Sequence, residues 1–147
     1  MKAPAPFPFV VARVGAERYG FDVAAVREVV AVGYLASVPA RSAAVRGLIP
    51  NRDRFLPVVS LSALLSGAAP PMEPGPTALV VTHGGAEMAL EVDEVESVAD
   101  GGAEFVGGAA IGSLPARGVW RWDGALVTVL DVAQLAERVN TLEEHER

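Results

Sequence analysis

Cysteine is absent from the 147 residues. That excludes a disulfide scaffold, thiol catalysis and cysteine-ligated zinc, and it fits a reducing compartment. Histidine is nearly as scarce, with His83 and His145 the only two. Neither stands in a multi-ligand spacing, so no metal and no cofactor is expected. His83 precedes the Gly84-Gly85 turn and reads as a solvated turn residue, and His145 lies in an acidic tail. A basic excess is missing too: 18 acidic and 12 basic residues leave a net charge of −6. Nucleic-acid binders carry the opposite balance, because affinity comes from counterion release, so no nucleic-acid partner is expected. No apolar run approaches the ~18 residues a spanning helix needs. The N-terminal apolar stretch is broken by Pro4, Pro6, Pro8 and Arg13, which argues against a signal peptide. A soluble, cytoplasmic protein without direct membrane insertion is expected.

What is present is a repeat. Residues 10–30 run VVARVGAERYGFDVAAVREVV, and residues 80–98 run VVTHGGAEMALEVDEVESV. Gly-Ala-Glu recurs at 15–17 and 85–87, Phe21-Asp22-Val23 matches Leu90-Glu91-Val92, and Val26 and Val29 match Val95 and Val98. Residues 46–65, RGLIPNRDRFLPVVSLSALL, match 117–136, RGVWRWDGALVTVLDVAQLA. Both open on Arg-Gly, pass a polar turn and enter an apolar run that leads to a helix start. Between the halves Pro70, Pro71, Pro74 and Pro76 mark 66–77 as an exposed linker.

Each half has one plan. Phe9 to Val14 alternates faces with β-branched residues and is expected as a strand. Gly15-Ala16 turns it, and Arg18 to Val23 returns. Val26, Val29 and Val30 are expected to form one apolar face. Ala44 to Pro50 and Arg54 to Leu61 form a second hairpin around Arg52-Asp53, with Asp123-Gly124 as the counterpart turn. Asp131 can N-cap a final helix, Val132 to about Glu144. Short strands at regular spacing indicate a barrel or sandwich.

Catalytic signals are weak. Gly107 to Gly112 lacks the Lys and Ser/Thr of a phosphate loop. Glu91, Asp93, Glu94 and Glu96 cluster, but alternation sends Glu91 and Asp93 outward and Met88, Leu90 and Val92 inward, as on a solvated strand face. Trp120 and Trp122 share one face and are expected in core or interface packing rather than base stacking.

The order Tyr19-Gly20-Phe21-Asp22-Val23, Val26-x-Glu28-Val29, Val45-Arg46-Gly47-Leu48-Ile49-x-x-Arg52 and Leu56-Pro57-Val58-Val59-x-Leu61 resembles the CheW-like coupling proteins of bacterial chemosensory systems. Met88 to Val95 and Arg117-Gly118 continue the likeness, from about Phe7 to Val139. The resemblance implies a mostly β fold of two interlocked SH3-like five-stranded β-barrels with a C-terminal helix. The chain, 1–147, is then one CheW-like domain: 7–65 a first barrel half, 66–77 the linker, 78–131 a second half, 132–145 the helix. It implies a non-catalytic adaptor that joins methyl-accepting chemoreceptors to a chemotaxis histidine kinase, alongside other CheW-like couplers. Val26, Glu28 and Arg52 match receptor-contact positions. Gly47, Ala89 and Val95 match partner- or kinase-facing ones.

Departures matter equally. The family's Asn-Leu-Arg-Gly turn is Pro50-Asn51-Arg52-Asp53 here, so positive φ falls to a residue without glycine's freedom, with Asp53 the more tolerant candidate. Pro50 removes a strand hydrogen bond, which predicts a strand that is shortened or lies on an edge. The 98–118 segment is short and glycine-rich. These changes point to an accessory coupler, of the kind a gliding bacterium's systems would use, with kinase binding weakened or lost. The competing readings are a regulatory-domain fragment of a chemotaxis kinase, which the start at Met1 disfavours, a metal enzyme on paired β modules, and an unrelated β-barrel binding module.

Overall fold

A computed structural model of the chain describes residues 8–33, 35–36, 44–66, 76–108 and 116–145, with side chains through 139. Most of the expected linker, the end of the glycine-rich loop and the His145 side chain lie outside the described residues.

The first half supplies β1 (Phe9–Val14), β2 (Glu17–Asp22), a 3-10 turn at Val23–Ala25, β3 (Val26–Ala31), β4 (Val45–Asn51), β5 (Arg54–Ser60) and α1 (Leu61–Ser66). The second supplies β6 (Thr77–His83), β7 (Ala86–Val92), β8 (Glu94–Ala99), β9 (Glu104–Gly107), β10 (Ala116–Trp122), β11 (Ala125–Leu130) and α2 (Val132–His145). Asp22 caps the 3-10 turn, its Oδ1 accepting from the Ala24 N–H at 2.9 Å. Asp131 caps α2 as expected, accepting from the Gln134 N–H at 3.1 Å.

The sheets do not follow the halves. One runs β8-β1-β2-β11-β10-β9 and the other β3-β6-β7-β5-β4. Each half therefore lends its leading hairpin, β1–β2 or β6–β7, to the sheet built by the other. The joins are equivalent: β2 lies parallel to β11, and β7 parallel to β5. The first sheet has six strands, not the expected five, because β9 adds to β10.

Register makes the repeat residue-specific. Val58 stands opposite Gly47 and Ala89, as Val129 stands opposite Gly118 and Gly20. Val80 stands opposite Ala89 and Glu28, as Val11 stands opposite Gly20 and Ser97. Both edge strands β3 and β8 are irregular at matched places, so Arg27 and Glu96 are the inserted bulge residues.

Alternation sends each strand into two cores. The six-stranded sheet coils around Phe9, Val11, Ala99, Trp120, Val127 and Val129. The five-stranded sheet coils around Ile49, Leu56, Val58, Ala78, Val80 and Ala89. Their other faces meet in a shared core that includes Val10, Phe21, Val59, Leu79, Leu90 and Leu135 of α2. Strands buried on both faces need nearly continuous apolar runs, which explains the Val- and Ala-rich composition. Trp120 is 2% exposed and meets Phe105 edge-on at 5.1 Å, confirming it as core. Trp122 packs against the same cluster.

Two expectations fail. Glu91 is buried rather than outward, because β7 is an interior strand with neither face in solvent, and it pairs with Arg46 at 3.0 Å. Val29 is 49% exposed, and the three valines do not form one face: beyond the Arg27 bulge Val29 pairs with Leu79 and turns away from Val30, which packs in the core of its own sheet while Val26 packs on the shared core. Pro50 does lie on an edge strand, β4. The positive φ of the first turn falls on Arg52, at 63°, and not on Asp53.

Candidate functional site

β3 and β4 are the two edges of the five-stranded sheet, and its coiling brings their ends together. There Arg52 donates to Glu28 Oε2 at 2.9 Å. Asn51 Nδ2 donates to Glu28 Oε1 at 3.1 Å, and Asn51 Oδ1 accepts from Arg27 at 2.6 Å. Arg27 Nε also meets Glu87 Oε2 at 2.6 Å, and Arg54 pairs with the same carboxylate. Three arginines thus surround two carboxylates and one amide. The bulge aims Arg27 into this network, since an inserted residue re-aims its side chain.

The arrangement is graded in exposure. The Asn51 residue is 8% exposed, the Glu28 side chain 25% and the Arg52 side chain 69%. The Arg52 guanidinium beside Glu28 holds its carboxyl below the usual range, and the Asn51 amide adds to this. Arg52 sits at positive φ without glycine's freedom, a conformation that costs on the order of 1 kcal/mol or more and persists only where surroundings impose it. An exposed pair of this kind contributes little to stability. What it offers is a planar donor fork, held in place, for a partner's carboxylate or carbonyl oxygens.

The other sequence-expected residues lie elsewhere. Val26 is half-buried and packs against the shared core, and Val95 does the same at the matched position on β8. Ala89 is fully buried in the core of its own sheet. Gly47 is buried at the β4 bulge, where an added Cβ would come within 2.6 Å of the Ala36 carbonyl oxygen. Gly47 and Ala89 therefore act on any surface through backbone shape, not by side-chain contact. Sequence reasoning missed Arg27, Asn51, Arg54 and Glu87. The available signal was Arg27-Glu28 inside an otherwise apolar strand, answered by Asn51-Arg52-Asp53-Arg54.

The acidic cluster has a structural task. Asp93 Oδ2 accepts from the Gly15 N–H at 2.7 Å, and Arg13 lies 3.5 Å from both Asp93 and Glu94. Glu96 accepts from Arg18 at 2.7 Å. These contacts fasten the β1–β2 hairpin to the second half. Among the described residues no group of three His, Asp or Glu side chains could hold a metal. A recess of about 180 Å³ is lined by Asp22, Thr82, His83, Arg117 and Asp131 among others.

The fold is thus two interlocked sheets with private cores and charged networks at their hairpin ends. The CheW-like domain family matches residues 8–140, and the chain belongs to it. The crystal structure of scaffolding protein TtCheW from Thermoanaerobacter tengcongensis superposes with a TM-score of 0.74, covering 90% of this chain and 89% of that one at 23% identity. That likeness is one of fold. No curated protein sequence matches the chain. Among the described residues no helix is long and apolar enough to cross a membrane.

Proposed function

We propose that the chain is a non-catalytic, cytoplasmic adaptor of a bacterial chemosensory array. It binds the tips of methyl-accepting chemoreceptors through the Glu28–Arg52 end of the five-stranded sheet, flanked by Val26. It links them to a chemotaxis histidine kinase and to other CheW-like couplers, with the kinase contact weakened by the short 98–118 segment. The observation that carries this reading is the polar network itself. A strained, 69% exposed arginine is held by a partly buried carboxylate, to which a buried amide donates in turn. Such an arrangement contributes little stability and much specificity. The test is binding of the cognate receptor-tip fragment to the full chain, measured by calorimetry. Arg52→Glu is expected to weaken binding by about tenfold or more, with partial rescue by Glu28→Arg in the same chain. Receptor binding unaffected by either charge reversal would overturn it. Tight kinase binding by this chain alone would overturn the weakened-kinase part.

A further inference from the structure

The repeat gives the Glu28–Arg52 network a counterpart in the six-stranded sheet. Register equivalence sets Glu96 at the place of Arg27 and Arg18 at the place of Glu87. The ion pair is kept with its charges exchanged: 2.6 Å between Arg27 and Glu87, 2.7 Å between Glu96 and Arg18. Trp122 replaces Asn51, and Asp123 replaces Arg52 at the turn, with the same positive φ, 52° against 63°.

Side-chain length then decides the shape. Where the first network has Glu28, Arg52 and Arg54, the counterpart has the shorter Ser97, Asp123 and Ala125. What remains is an open recess of about 210 Å³, lined by these three residues, the Trp122 indole and the Arg18–Glu96 pair. The equivalent positions of the other sheet carry two arginine side chains, each resting on a carboxylate.

We infer that this recess is a docking point for an arginine side chain supplied by a protein partner. Its charge is complementary: Glu96 and Asp123 face one arginine, Arg18. Asp123 is exposed and has no ion pair among the described residues. Glu96 keeps acceptor capacity beyond its two contacts with Arg18, since a carboxylate offers about four lone-pair sites. The half-buried indole of Trp122 supplies a flat wall on which a guanidinium stacks. A planar fork uses the carboxylates and the indole together, which an ammonium does less well. Receptor docking at the opposite network is not required for this.

The test is NMR titration of the full chain with the probe acetyl-Gly-Gly-Arg-Gly-Gly-amide, and with the same peptide carrying neutral citrulline. The arginine peptide should shift the Ser97, Asp123 and Ala125 amides and the Trp122 indole N–H together, saturating in the millimolar range. Citrulline should bind about tenfold more weakly. Asp123→Asn should weaken arginine binding severalfold while leaving the fold intact, because Asn tolerates positive φ. Ala125→Arg places in the recess the residue type that the first half carries at Arg54, and should block the peptide. Shifts spread over the surface, equal binding of citrulline, or binding unchanged in Ala125→Arg would each overturn the inference.

Discussion

Gly47→Ala should destabilise the protein by about 3 kcal/mol, through a backbone clash and not through a lost side chain. Gly47 occupies the β4 bulge at φ 151°, where an L side chain is strained. Its added Cβ would come within 2.6 Å of the Ala36 carbonyl oxygen and 3.4 Å of the Ala36 carbonyl carbon. Backbone cannot rotate aside as a side chain does, so residue 36 must withdraw. Ala36 and Leu48 exchange two hydrogen bonds, both 2.9 Å. Losing two bonds at roughly 0.5–1.5 kcal/mol each, plus about 1 kcal/mol of backbone strain, gives about 2–4 kcal/mol. For a chain of this length each kcal/mol moves Tm by roughly 2–4 °C, so a fall of roughly 10 °C is expected. Urea unfolding followed by far-UV circular dichroism measures the free energy directly. The internal control is Gly118→Ala at the matched bulge. Its Cβ would meet ring atoms of Phe105 and Trp120 at 2.9 Å, and rings can shift. That variant should cost less, about 1–2 kcal/mol. The reasoning is refuted if Gly47→Ala stays within ~0.5 kcal/mol of the parent, or if Gly118→Ala proves the costlier of the two.

Further outcomes are expected from the cores and the charge networks. Trp120→Ala empties the core of the six-stranded sheet and should cost about 3–5 kcal/mol by urea unfolding; a loss under ~1 kcal/mol would contradict its placement. Glu91→Ala removes the carboxylate from a pair whose side chains are 7% and 9% exposed, and should cost about 3 kcal/mol, where a solvated strand-face glutamate would cost almost nothing. Arg52→Gln should raise the Glu28 carboxyl titration midpoint toward the ordinary range in a carbon-detected NMR titration. Because the native value is depressed, the contribution of Glu28 to stability is present above its unfolded pKa and is lost as pH falls through the native one. The stability difference between parent and Arg52→Gln should therefore shrink in acid, and an unmoved midpoint would contradict the pairing.

Local features were legible in the sequence, and non-local ones were not. Alternating β-branched residues and the Gly15, Asp123-Gly124 and Asp131 signals located strands, turns and the cap, because each acts within a few residues. Pro50 announced a shortened or edge strand for the same reason. The repeat revealed two matched halves but not that they exchange hairpins, since nothing local distinguishes a hairpin pairing within its half from one pairing across. Glu91 was misread on the assumption that each strand keeps one wet face, which fails for an interior strand of a doubly covered sheet. Glu28 and Arg52 stood out by resemblance. Arg27 and Glu87 needed the bulge, which depends on a partner strand 50 residues away or more. The recess beside Trp122 needed the register equivalence that only the pairing supplies.

The exchange of hairpins also bears on how the chain is made. The five-stranded sheet cannot be completed until β7 has left the ribosome, and the six-stranded sheet not until β11 has. The first hairpin to emerge, β1–β2, belongs to the sheet that closes last. During synthesis its apolar residues, Phe9 and Phe21 among them, wait uncovered for partners more than a hundred residues downstream. A chain cut after α1 should accordingly find no stable fold alone, and two separately made halves should recover structure only on mixing. At high concentration the same logic lets the hairpin of one nascent chain complete the sheet of another.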